Sequence, residues 1–425
     1  MKRAVTALLA AGLLLTAGCQ SGEPSALTEP SSHELPSSSS QAEPQPPALT
    51  LDGAPVEPGA VTRTESQGAA ELPEAPSASA AVTQAGASPA FAFELPPDQT
   101  TLSLARDGET FFLGTLEEFA GYTPPANGDY TLNLWASWDG GEGEFQGLCG
   151  YRIRLTYDLP ITLSVDSTDV KQGYCTILRA DYLPAGVDTV TAETDMGFTP
   201  TFYSYEGEMI ALMPAKYSSE TGEYHITLTA GEVSRDFTIT VVDGGFDVTV
   251  QNFEIDQEVA DSTVNNQQAN IDYETVTRPL KNLGDPEKYW EGAFQLPIDP
   301  AYVAASSTFG RVRVINGVRD QHAGIDYPAP EGAQVYAPNN GRVLFAGYLQ
   351  LTGNMICIEH GFGLKSWYYH LSAVEVEAGQ MVQTGDPIGK VGSTGFVTGP
   401  HLHFTMSVNN IYTNPEQYLA GDPLG

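Results

Sequence analysis

From Phe91 to Val250 the chain is written in short runs that alternate apolar or β-branched residues with polar ones. Examples are Tyr130-Thr-Leu-Asn-Leu-Trp135, Tyr151-Arg-Ile-Arg-Leu-Thr156, Ile161-Thr-Leu-Ser-Val165, Tyr224-His-Ile-Thr-Leu-Thr229 and Phe237-Thr-Ile-Thr-Val241. A period of two sends successive side chains to opposite faces, so each run reads as a strand with one buried face. Turn residues separate the runs, and the spacing predicts two small β-sandwich modules, about 91–158 and 159–245. The fold class expected for the chain is therefore all-β.

Charge narrows the partners. Among 425 residues there are 19 Lys plus Arg against 53 Asp plus Glu, a formal net charge of −34. A nucleic-acid binder needs the opposite surface, and adhesion to anionic wall polymers or lipid headgroups is disfavoured. No nucleic-acid partner is expected. Of the four cysteines, Cys19, Cys149, Cys175 and Cys357, no two have C-x-x-C spacing, so a metal would have to use His and carboxylate.

The N-terminus reads as an export signal: Lys2 and Arg3 precede an apolar run from Ala4 to Gly18 that is too short to span a bilayer comfortably. Leu15-Thr-Ala-Gly-Cys19 resembles the lipobox of bacterial lipoproteins. That resemblance implies removal of residues 1–18, lipidation of Cys19 and attachment to the outer face of the cell membrane. Residues 19–90 hold no aromatic side chain, and such a segment buries too little apolar area to offset the entropy of ordering it. It is expected to be a disordered tether, with a random-coil span of roughly 45–50 Å for about 70 residues. Such reach would carry an anchored protein into the cell wall. A solubilising spacer fits the composition equally.

Outside the cytoplasm Cys149 and Cys175 form a candidate disulfide, worth about 3–4 kcal/mol by loop entropy. Cys357, in Met355-Ile-Cys-Ile358, reads as a small apolar filler of a buried strand. The second module resembles the immunoglobulin-like repeats of cell-envelope proteins. Residues 246–293, rich in Asn, Gln, Asp and Glu, are expected to connect modules.

Five of the seven histidines, His322, His360, His370, His401 and His403, fall between residues 322 and 403. In His322-Ala-Gly-Ile-Asp326 the glycine and the nearby Pro328 and Pro330 oppose a helix. On a strand, residues four apart share a face, so this imidazole and carboxylate can converge on one ion. In His401-Leu-His403 both imidazoles share a face and Leu402 points into the core. Trp367-Tyr-Tyr-His370-Leu371 places one more histidine at an aromatic strand end. Imidazole and carboxylate suit Zn²⁺, and three protein ligands with a fourth position left to water is the catalytic arrangement.

Together, His322-Ala-Gly-Ile-Asp326, Tyr369-His-Leu-Ser372 and Gly395-Phe-Val-Thr-Gly-Pro-His-Leu-His-Phe404 resemble the signature of the lysostaphin-type (LytM-type) zinc metalloendopeptidases that cleave peptidoglycan peptides. The resemblance runs from about Phe294 to Leu419 and includes Ser307-Thr-Phe-Gly310 and Gly385-Asp-Pro-Ile-Gly389. It implies a curled antiparallel sheet of the duplicated hybrid motif type over 294–425, with zinc on His322, Asp326 and His403. It further implies that His370 and His401 stand as unligated imidazoles beside the metal. Two such imidazoles can take a proton from water, stabilise a tetrahedral oxyanion and return a proton to the leaving amine. Which does which the sequence leaves open. His360 is left over and reads as a structural strand-end residue. Within Phe309-Gly-Arg-Val-Arg313, relatives often carry Arg at the position of Val312, a departure that bears on substrate contacts.

The expected function is hydrolysis of peptide bonds in peptidoglycan stems or cross-bridges for wall remodelling. The rival is a non-catalytic wall-binding or hydrolase-regulating envelope protein. The polar stretch before Phe294 is the candidate for a segment masking the open zinc position.

Overall fold

The structure, a computed structural model, describes residues 44–63, 71–72, 74–84, 88–141 and 144–424. The signal segment 1–18, Cys19 and the tether as far as residue 43 lie outside the described residues.

Strand formation follows the alternation closely in the first unit. Gly128–Trp138 and Gly147–Tyr157 pair antiparallel along their whole length, and Gln99–Arg106 and Glu109–Gly114 extend the sheet on one side. Leu102, Leu104, Leu132, Leu134, Ile153 and Leu155 are fully buried on its inner face. One correction concerns the tether. Ala60–Arg63 and Ala78–Val82 both add to Gly147–Tyr157, while Leu49–Leu51, Ala54–Val56 and Phe91–Phe93 form a second, three-stranded sheet over the same core. Residues 49–63 and 78–82 therefore belong to the first β unit. Composition misled because these strands need no core of their own. They take hydrogen bonds and apolar cover from an existing sheet, and Leu49, Leu51, Val56 and Val82 suffice to bury them.

The second unit is a sandwich of two four-stranded sheets. Leu163, Leu178, Met213, Ile226, Leu228, Ile239 and Val241 fill its interior. His225 is exposed beside Asp195, 3.4 Å away, and among the described residues it joins no three-donor group.

The expected Cys149–Cys175 disulfide is absent: both are free thiols, as is Cys357. Cys149 sits in the core of the first unit. Cys175 packs against a different core, at the seam with the C-terminal domain, where its backbone N–H donates to Gln417 Oε1 at 2.7 Å. Two thiols in separate cores cannot meet bonding geometry. Burial pushes the Cys149 thiol up to about 11.

The connecting segment is more ordered than its composition suggests. It contains β1 (Gln251–Phe253), α1 (Gln257–Ser262) and α2 (Gln267–Asn282). Asn266 caps α2, its Oδ1 accepting from the N–H groups of Gln268 and Ala269. Tyr273, Val276 and Leu280 then form one face of α2 that packs on Leu349, Met355, Cys357, Trp367 and Tyr369.

In the C-terminal domain β2 (Val312–Ile315) and β3 (Val318–Gln321) form a hairpin, and β1 pairs parallel with β2. The turn is Asn316-Gly317, both at positive φ (48° and 81°), the conformation a two-residue hairpin loop requires. Next come β4 (Ile325–Pro328), β5 (Gly353–Gly361), β6 (Leu364–Val374) and β7 (His401–Val408). Within a nine-stranded sheet their order is β4-β7-β6-β5. Residues 387–391 pair both with β6 and with Gln334–Tyr336, which curls the sheet. The β5–β6 hairpin is buried on both faces, and inside it Lys365 Nζ lies 3.0 Å from Glu359 Oε2 with neither side chain exposed beyond 1%.

Candidate metal and active site

β7 is the spine of the site. Its register sets Asp326 of β4 opposite His403 on one side and Tyr369 of β6 opposite the same histidine on the other. His401 and His403 share a face, and Leu402 between them is fully buried on the other, as the alternation requires. His322 arrives differently from the sequence expectation. It precedes β4 and is separated from it by a bend at Gly324, so it does not share a strand face with Asp326. The bend is tight: a Cβ on Gly324 would stand 2.7 Å from both His403 Nε2 and the Phe404 carbonyl oxygen.

The three expected ligands converge. His322 Nε2 is 3.1 Å from His403 Nδ1 and 3.2 Å from Asp326 Oδ1. His403 Nδ1 is 2.8 Å from Asp326 Oδ1. A tetrahedral zinc bound at its usual ligand distances holds donor atoms about 3.3 Å apart, so these atoms need only slight separation to admit one ion. Among the described residues this is the group of three with such geometry. The residues therefore fit the metal in donor type and spacing. His322 Nδ1 is 3.1 Å from the Thr308 carbonyl. A carbonyl only accepts, so Nδ1 carries the proton and Nε2 keeps its lone pair for the ion. The His403 ring stacks on Tyr369 at 5.1 Å and 1°, which fixes its plane.

Asp326 is held well below the usual carboxylate range: burial opposes its charge, and His322 and His403 outweigh that opposition. Its second oxygen accepts from Arg313 Nη2 at 2.5 Å. Burial, offset in part by Asp326, pushes His403 below the ordinary imidazole value, favouring the neutral ring a metal needs.

His370 and His401 face each other beside this group, ring centroids 4.9 Å apart. The Nδ1 of His370 is 2.9 Å from the Thr394 carbonyl and that of His401 is 2.8 Å from the Gly399 carbonyl. Each therefore donates through Nδ1 and leaves Nε2 unprotonated, the form a general base requires. His401 Nε2 lies 3.7 Å from Asp326 Oδ1, beside the three-donor group but outside it. Burial, with the neighbouring His401 and His403, drives His370 down to about 3. Its φ of 66° lies in the left-handed region, rare for a non-glycine residue and characteristic of strained functional positions. Two bonds hold it there: its N–H donates to the Thr352 carbonyl at 2.9 Å, and its Nδ1 to Thr394. The glycine-rich loop explains Thr394. Gly395 (φ 82°) lies where a Cβ would be 2.4 Å from the Gly353 nitrogen, so only glycine lets this loop reach β5.

The five residues open into a cleft of about 340 Å³. Its walls include Phe396 and Val397 of the glycine-rich loop, Phe253, Ile255 and Tyr273 of the connecting segment, and Tyr217 of the second sandwich. Among the described residues no His, Cys, Asp or Glu of the connecting segment joins the three-donor group; the segment contributes cleft wall. His360 is remote from the cleft and fully buried, bonded to the Asn340 carbonyl at 2.7 Å and to Ser366 Oγ at 2.8 Å. It is structural, as its sequence position suggests. Sequence reasoning missed Arg313, Tyr369 and the walls from upstream. Tyr369 was open to discovery as the neighbour of His370; nothing in the sequence marks Phe253 or Tyr217.

Peptidase family M23 matches residues 320–415. The chain is 38% identical over 119 residues to the peptidoglycan DD-endopeptidase ShyC of Vibrio cholerae serotype O1, covering 28% of each. It is 42% identical over 128 residues to the DD-carboxypeptidase/endopeptidase Mpg of Neisseria meningitidis serogroup B, covering 30% of each. The matched stretch thus spans under a third of the length of these relatives. Among solved structures, the catalytic domain of the antimicrobial peptidase lysostaphin from Staphylococcus simulans aligns at 29% identity, over 31% of this chain and 92% of that one, with a TM-score of 0.24. Residues 320–415, which carry all five of these histidines and Asp326, are a domain of Peptidase family M23, the LytM-type metallopeptidases.

Proposed function

We propose that the protein is a zinc endopeptidase that hydrolyses peptide bonds in peptidoglycan stem peptides or cross-bridges outside the cytoplasm. The observation that carries the reading is the convergence of His322 Nε2, Asp326 Oδ1 and His403 Nδ1 within 3.2 Å of one another beside two further imidazoles. In this reading His322, Asp326 and His403 hold one Zn²⁺. When bound, the ion supplies Lewis acidity to the scissile carbonyl and to the attacking water. His370 and His401, each with Nε2 free, flank the reacting group: one accepts the proton of the attacking water at Nε2, and the imidazolium so formed stabilises the developing oxyanion. The proton then passes to the leaving amine. Phe253, Phe396 and Val397 limit water at the cleft walls.

The relatives' names support a peptidoglycan substrate. The lipobox-like Leu15–Cys19 supports a lipid anchor on Cys19, which Cys19→Ala would test by releasing the protein from membranes. The two β-sandwich units would then stand between membrane and catalytic domain. The purified mature chain with zinc should lower the turbidity of isolated sacculi, and His401→Ala should abolish this while keeping its metal. If wild type and variant behave alike, the enzyme reading fails.

A further inference from the structure

Three hydrogen bonds lead from the connecting segment to the metal site. Gln251 Oε1 in β1 accepts from Ser307 Oγ at 2.8 Å. Ser307 Oγ accepts from Arg313 Nη2 at 2.9 Å. The same nitrogen donates to Asp326 Oδ2 at 2.5 Å, the oxygen that faces away from the three-donor group. Phe253, two residues on in β1, lies against the guanidinium, with Arg313 Cζ 5.5 Å from its ring centroid. Backbone register supports the side chains: Gln251 is the partner of Arg313 and Phe253 of Ile315 in the parallel β1–β2 pair. Ser307 exchanges both backbone hydrogen bonds with Asp326 at 3.0 Å.

β1 is fastened at both ends. Upstream, Arg311 Nε donates to the Thr249 carbonyl at 3.1 Å, and its Nη2 lies 3.3 Å from Asp247 Oδ2. Downstream, Asn316 at the hairpin turn accepts from the Ile255 N–H at 2.8 Å and donates to the Ile255 carbonyl at 3.1 Å.

We infer that β1, a strand outside the family-matched residues 320–415, is a working part of the metal centre: it holds Arg313 in the one orientation that grips Asp326, and so sets the affinity of the site for zinc. Arg313 and Phe253 are positioning residues in this account. A carboxylate that binds through one oxygen needs its other oxygen held, or it rotates and loses the ion's geometry. A guanidinium is suited to this because its planar donors are directional and always charged. Without the ring of Phe253 and the Gln251–Ser307 bond, Arg313 regains rotamers that leave Asp326 alone. The inference rests on the zinc reading above.

The test is zinc affinity of the full mature chain, measured by competition with a chromophoric chelator, with the absorption spectrum of the cobalt-substituted protein as a second readout. Arg313→Met should weaken zinc by about 10–100-fold, the range for removing a group that orients a metal ligand. Phe253→Ala and Gln251→Ala should each weaken it severalfold and shift the cobalt bands, with the apo-protein's melting unchanged. Phe253→Tyr, which keeps the ring, should restore wild-type affinity. Should Arg313→Met fold poorly, the two β1 variants decide alone. Wild-type affinity and cobalt spectra in Phe253→Ala and Gln251→Ala would overturn the inference and leave the zinc reading intact. A wild-type chain that binds no stoichiometric zinc would overturn both.

Discussion

Lys365 is the least expected charge in the protein, and removing it has a calculable consequence. Its ammonium is wholly buried, 3.0 Å from Glu359 Oε2, and it donates to the carbonyls of Leu283 at 2.5 Å and Gly363 at 3.2 Å. Glu359 Oε1 in turn accepts from the N–H groups of Asp285 and Gly363 at 3.2 and 3.1 Å. The pair therefore ties the chain leaving α2 to the β5–β6 hairpin behind the metal site. Lys365→Met keeps the aliphatic volume but leaves a carboxylate buried with no cation, at a cost of about 3–5 kcal/mol. Part of that cost is the loss of the donor to Leu283. For a domain of this size the midpoint of thermal unfolding should fall by roughly 10–15 °C. The double variant Lys365→Met, Glu359→Gln removes both charges, and because most of the penalty is the orphaned ion it should recover more than half of the loss. Urea unfolding followed by tryptophan fluorescence measures both, since Trp367 lies in the same hairpin. A single variant that costs under about 1 kcal/mol would mean that the pair is hydrated and contributes as little as a surface ion pair, refuting the reasoning.

Further outcomes follow from the same geometry. His360 is buried neutral and pushed down to about 4 by burial. Because its folded value lies below its unfolded one, the stability it contributes is complete above about pH 6.5 and is lost as pH falls toward 4, on the order of 3 kcal/mol in all. His360→Gln should flatten the dependence of urea midpoint on pH across that window. Replacing His370 or His401 by Ala should each lower kcat by about 10²–10⁴-fold with one zinc still bound, as read from peptide release alongside elemental analysis. Gly324→Ala should fold yet bind zinc more weakly, because its methyl group would press on His403; unchanged affinity would show that the bend has slack.

Sequence pattern marked the sandwich strands and the candidate site residues for a common reason. Alternation such as Tyr151-Arg-Ile-Arg-Leu-Thr156 and the pairing of His401 with His403 depend only on the period of a strand, which every residue reports locally. The elements it missed are those whose partners are distant. Leu49–Leu51 and Ala78–Val82 have too few apolar residues to announce a core, and are strands because Phe93 and residues 147–157 are there to receive them. α2 carries its stripe as Tyr273, Val276 and Leu280 amid Asn, Gln and Glu. The spacing was legible, but the polar composition masked it. Asn316-Gly317 marks a hairpin from sequence alone, whereas the parallel pairing of β1 with that hairpin, which brings Phe253 to Arg313, has no local signal. Cys149 and Cys175 failed as a pair for the same reason: distance along the chain says nothing about which core each side chain enters.

The claim on which everything rests is that His322, Asp326 and His403 together bind one metal ion. Elemental analysis of the full mature chain, loaded with zinc and then freed of loosely bound metal, tests it most directly. The account predicts one zinc per wild-type chain and almost none in Asp326→Ala or His403→Ala, with far-ultraviolet circular dichroism unchanged. A full equivalent of zinc retained by either folded variant, or none in the wild type, would contradict it.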